Sequence, residues 1–99
     1  MELDDSTRLA RSDRVATRWI GDEVLLVPIR SDPGEPVGLY TLNRTAAAIW
    51  ELVDGSRTLA DLASAICARF EVAADQALRD VLACCADLLR MGAVTQVGR

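Results

Sequence analysis

A strand that runs without interruption into a helix constrains this chain more than any other feature. Leu39-Tyr40-Thr41-Leu42 reads as a short strand, with Tyr40 and Leu42 on one face and Leu39 and Thr41 on the other. Asn43 follows where a helix needs an N-cap. Ala46, Ile49, Trp50 and Val53 then recur at helical spacing and form a buried stripe. Gly55 is expected to end this helix as its C-cap glycine. A strand feeding straight into an amphipathic helix needs a sheet for that helix to cover, which points to an α+β fold.

The flanking sequence supplies the rest of such a fold. Val15 to Ile20 is β-branched and aromatic and reads as a strand, with Trp19 in the sheet core. Gly21-Asp22 fits a two-residue type II′ turn, glycine first. Glu23 to Ile29 is the second strand, with Pro28 near its end because proline donates no ladder hydrogen bond. Ser31 to Val37 holds two prolines and a glycine and reads as a loop, and Gly38 to Leu42 is the third strand. Thr58-Leu59-Ala60-Asp61 opens a second helix with a capping box, and its apolar face is Leu59, Leu62, Ala63, Ile66 and Phe70. A third helix is predicted from Ala74 to Met91, without a strong N-cap, turning Leu78, Val81, Leu82, Cys85, Leu88 and Leu89 inward and ending at Gly92. Ala93 to Val97 is a short final strand or an extended tail, and residues 1–14 read as a flexible N-terminal arm. The expected fold is therefore a three-stranded antiparallel sheet followed by three helices. The first and third helices are expected to cover the sheet.

Composition excludes several kinds of chemistry. The 99 residues contain no histidine, so no Ser-His-Asp or Cys-His pair can be assembled. Neither a Rossmann nor a P-loop glycine pattern is present. Cys67, Cys84 and Cys85 form no CxxC and read as reduced thiols acting as small hydrophobes; no metal or cofactor is expected. The net charge of −4 and the absence of lysine argue against a nucleic-acid partner. No apolar run approaches the ~20 residues that span a bilayer, and the acidic N-terminus lacks a signal-peptide core, so a cytoplasmic protein without membrane contact is expected. Asp75 and Arg79 lie four apart and read as a surface ion pair.

Several pieces, taken in order, resemble the PqqD-like family. They are Tyr40-Thr41-Leu42-Asn43, Ala47-Ala48-Ile49-Trp50, Asp54-Gly55, Leu59-Ala60-Asp61-Leu62, Asp80-Val81 and Leu89-Arg90-Met91-Gly92-Ala93-Val94. Members of this family, also called RiPP recognition elements, are small domains that bind the leader regions of precursor peptides. The resemblance implies a winged-helix-like PqqD fold over residues 15–97. It also implies a mode of binding, in which the leader adds as a strand beside the third strand and rests against the third helix.

The resemblance directs attention to a sheet edge and a helix flank. Gly38, Leu39, Tyr40, Thr41 and Leu42 are the expected edge; Leu39 and Thr41 are the better peptide contacts, through backbone groups more than side chains, while Tyr40 and Leu42 look like family core positions that pack inward. On the third helix Arg79, Ala83, Ala86 and Arg90 recur beside Leu82, small residues between two arginines that suit acidic leader side chains. The opposite flank, near Ala77 and Cys84, is the alternative. The expected function is non-catalytic capture of a leader and its delivery to a modifying enzyme or leader peptidase. That partner is a lasso-type peptidase and cyclase, or a radical-SAM maturase. The rival reading is a winged-helix DNA-binding regulator.

Overall fold

Gly21 sets the register of the sheet. It has φ +65° and the following Asp22 has no positive φ, the signature of a type II′ turn. The turn joins β2 (Val15–Ile20) to β3 (Glu23–Pro28), pairing Ile20 with Glu23 and Val15 with Pro28. β4 (Tyr40–Leu42) pairs antiparallel with the other side of β3, giving the order β2-β3-β4. The computed structural model describes residues 3–29 and 39–98. Gly38 and the proline-containing loop of residues 31–37 lie outside them.

Three helices follow: α1 (Arg44–Leu52), α2 (Leu59–Phe70) and α3 (Ala74–Arg90). Their ends follow local chemistry. The Asn43 side chain accepts a hydrogen bond from the Ala46 N–H. At α2, Thr58 accepts from the Asp61 N–H while Asp61 accepts from the Thr58 N–H, a reciprocal cap that contributes about 0.5–2 kcal/mol. Those same hydrogen bonds hold the Asp61 carboxyl below its ordinary range. Ala73 gives α3 no side-chain cap. At its other end Gly92, with φ +78°, donates to Leu89 C=O, and Ala93 donates to Leu88 C=O. That is a Schellman closure, with Leu88 and Ala93 both buried. Gly55 plays a different part from the expected one. α1 stops at Leu52 with extended Val53 as its cap, and Gly55 N–H instead donates to Leu9 C=O.

The N-terminal segment is more structured than the sequence suggests. Leu9–Arg11 forms β1, paired antiparallel with β5 (Val94–Gln96) in a separate two-stranded ribbon. Thr7 and Leu9 are buried. The backbone carbonyls of Thr7 and Asp5 accept the Leu59 and Ala60 N–H groups at the start of α2, where a helix leaves donors unpaired. Arg11 donates to the carbonyls of Glu51 and Val53 at the end of α1, where the helix dipole favours a cation. Residues 5–12 thus tie α1, α2 and β5 together, and the flexible-arm expectation does not hold for them. A three-residue strand is too short to show a period, and its partner lies more than 80 positions away.

The main core lies between the sheet and the helices. Val24, Leu26 and Leu42 point from the sheet onto Ile49 and Trp50 of α1. α2 and α3 pack on one another through Leu62, Ile66, Val81 and Cys85. Burial pushes the Cys85 thiol up to about 12 and that of Cys84 to about 11, so both stay protonated at neutral pH. α1 alone covers the sheet; no Cα of α3 comes within 8 Å of a Cα in β2, β3 or β4. The expected two-helix cover is thus half right, and the stand-off of α3 leaves space beside β4. Trp19 is also corrected. It shares the inner face with its partner Val24 but lies on the outer strand, at the rim of a cleft that Arg44, Ala48 and Glu51 of α1 also line, and is 47% exposed.

Candidate functional site

The pairing of β3 determines what the β4 edge offers. In a two-residue hairpin the pair flanking the turn is hydrogen-bonded, and bonding alternates from there. Glu23, Leu25 and Val27 therefore direct their N–H and C=O groups toward β2. Ile29, next in that alternation, donates to Arg14 C=O at 2.8 Å. Val24 and Leu26 consequently bond to their β4 partners Leu42 and Tyr40. Thr41, opposite Leu25, is a non-bonded position, so its N–H and C=O point away from the sheet. Among the described residues β4 has no strand on that side. An edge of this kind is a template for another chain.

Beside the edge stands α3, and two clefts run along it, one facing β4 and the other, past the end of β4, facing the start of α1. One, of about 460 Å³, is lined by Tyr40, Asp87, Arg90 and Met91. The other, of about 310 Å³, is lined by Asn43, Thr45, Ala46 and Ile49 on one side and by Asp80, Ala83 and Cys84 of α3 on the other. Asp80, Cys84, Asp87 and Met91 follow four-three-four spacing and form one stripe next to the buried row of Ala77, Val81 and Leu88. From Asp80 to Met91 the helix advances about 16 Å. An extended strand covers that length in about five residues. Tyr40 reaches across, its hydroxyl donating to Asp87 Oδ2 at 3.4 Å. Asp87 also accepts from Arg90.

The residues singled out from sequence separate into two groups. Thr41 and Leu39, the latter 65% exposed, stand open at the edge. Tyr40, Ala83 and Arg90 line the clefts. Leu42 is buried and its backbone is committed to β3. Gly38 lies outside the described residues. Arg79, Leu82 and Ala86 line neither cleft: Arg79 is held by Gln76 and Asp75 on the outer side of α3, and Leu82 packs against the core. The α3 wall is the alternative flank, represented by Cys84, although its other landmark, Ala77, is fully buried. Sequence reasoning missed Asn43, Thr45, Asp80, Asp87 and Met91. Their signal was the row beside the most apolar stripe of α3, but the pattern gives two such rows and does not say which faces β4.

The charge on this wall is also the reverse of the expected one. Asp80 and Asp87 face the clefts, and Arg90, the one basic residue lining them among the described residues, is engaged with Asp87. Among the described residues no group of three or more side chains is arranged to hold a metal ion. Among these residues no helix is long and apolar enough to cross a membrane.

Comparison with known proteins fits this geometry. No curated protein matches the chain. Two solved structures share its fold with a TM-score of 0.72. TbiB1 in complex with the TbiA(beta) leader peptide is 24% identical, with 86% of this chain and 93% of that one covered. A lasso peptide synthetase B1 complexed with its leader peptide is 22% identical, with 89% and 98% covered. A family model for coenzyme PQQ synthesis protein D (PqqD) matches residues 23–94, from the start of β3 to the start of β5. Since that match spans the sheet edge, all three helices and the trough between them, the chain belongs to the PqqD family.

Proposed function

We propose that this protein is a non-catalytic recognition domain that captures the leader of a ribosomally made precursor peptide. The leader adds as a strand to the β4 edge and lies in the trough against α3. One observation carries the reading: the backbone of Thr41 points outward, without a partner among the described residues, into a space about five residues long. Strand addition takes its affinity from such main-chain groups and its specificity from adjoining pockets. The fold shared with two proteins solved in complex with leader peptides supports it. The partner downstream is a leader peptidase and cyclase of a lasso-peptide system or a radical-SAM maturase. The domain serves either by raising the local concentration of precursor at the enzyme.

The DNA-binding alternative fares poorly on the same surface. Its exposed helix wall is acidic where phosphate contacts require Arg and Lys. A titration separates the two. A fluorescent candidate leader peptide should bind saturably, with affinity little changed between low and moderate salt. Labelled duplex DNA should not bind. Salt-sensitive DNA binding without leader binding would reverse the assignment.

A further inference from the structure

Asp80 stands apart from the other charged groups of the trough. Asp87 is neutralised by Arg90 and also accepts from Tyr40. Asp80 accepts from the neutral side chain of Gln76 at 2.8 Å, and among the described residues no cation lies within 4 Å of it. Its cleft has Ala46 and Ile49 on one side and Ala83 and Cys84 on the other. Asn43 and Thr45 complete its lining. Apolar side chains interleaved with polar ones and a carboxylate match a side chain having an aliphatic stem and a cationic end. Lysine and arginine are the two that fit.

On the reading that the trough holds a peptide strand, we infer that Asp80 selects a leader carrying Lys or Arg at the position opposite this cleft. The stem lies between Ala46 and Ala83, and the ammonium or guanidinium meets Asp80. A charge-assisted hydrogen bond in a half-enclosed cleft is stronger than an exposed ion pair and is sensitive to the loss of either partner. An acidic or short polar side chain at the same position would leave Asp80 without a cation. The preference is thus opposite to that expected from an arginine-lined wall.

A random-peptide display library panned against the full chain tests this without knowing the precursor. The recovered pool should be enriched in Lys or Arg at one position. A synthetic peptide from the pool should bind Asp80→Asn about tenfold more weakly, a loss of roughly 1.4 kcal/mol. Asparagine can still accept the Gln76 hydrogen bond, so that change leaves the helix surface otherwise intact. The same peptide with its basic residue replaced by Met should bind wild type and Asp80→Asn equally. Panning against Asp80→Lys should move the enrichment to Asp or Glu at that position. A pool with no basic position, or undiminished binding to Asp80→Asn, overturns the inference while leaving the edge-strand reading in place. A pool whose binding is unaffected by Thr41→Pro, or no recovered peptide at all, overturns both.

Discussion

Trp50→Ala is expected to lower the unfolding free energy by about 3–5 kcal/mol. The indole is almost wholly enclosed between the sheet and the helices. Its Nε1–H donates to Thr17 Oγ1 at 3.0 Å, so α1 is fastened to the outer strand β2 as well as packed on β3 and β4. The Arg11 guanidinium lies 5.3 Å from the ring centroid, which brings the N-terminal segment into the same cluster. A domain of this size has a total stability on the order of 5–15 kcal/mol, so the substitution removes a large share of it. Urea denaturation followed by far-UV circular dichroism measures the effect. A loss below about 1 kcal/mol would mean that the packing around α1 is much looser than described.

Thr41→Pro is expected to weaken leader binding about tenfold or more while leaving the fold intact. The two halves of that statement come from one geometric fact. The Thr41 N–H points away from β3, so proline there breaks no hydrogen bond of the sheet, whereas at Tyr40 or Leu42 it would break the β3–β4 ladder. In the complex the same change removes a donor and leaves an acceptor of the leader unpaired, a cost of about 1–3 kcal/mol. Thr41→Ala keeps the N–H, and its exposed side chain packs on nothing in the core, so it should bind within about twofold of wild type by the same arithmetic. Calorimetric titration of the three proteins with one leader, alongside thermal melts, provides the comparison. Equal losses in the proline and alanine variants, with both folded, would rule out main-chain pairing at this residue.

Local chemistry explains what the sequence disclosed. The hairpin at Gly21, the Asn43 cap, the Thr58–Asp61 capping box and the closure at Gly92 depend on residues only a few positions apart, and each stands as expected. The inward faces of α1 and α2 were readable for a related reason: a stripe at helical period has few uses besides burial. What escaped depended on distant partners. β1 is defined by β5 at the other end of the chain. Trp19 is half exposed because it stands at the open rim of a cleft beside α1, a matter of helix placement and not of residue type. The α3 wall of the trough was the hardest case. The edge strand itself was anticipated, but choosing between the flanks of α3 requires the helix's rotation about its axis, which sequence period leaves free. The arginine stripe was attractive chemically, yet Arg79 turns to Asp75 and the trough receives Asp80 and Asp87 instead.

Amide hydrogen exchange read by NMR, with and without a saturating leader, tests the open edge most directly. In the free protein the Thr41 amide should exchange quickly, while those of Tyr40 and Leu42, already bonded to β3, are slow. On binding, Thr41 should gain strong protection and its two neighbours should change little. A bound complex in which the Thr41 amide still exchanges as fast as in the free protein would contradict a leader paired to this strand.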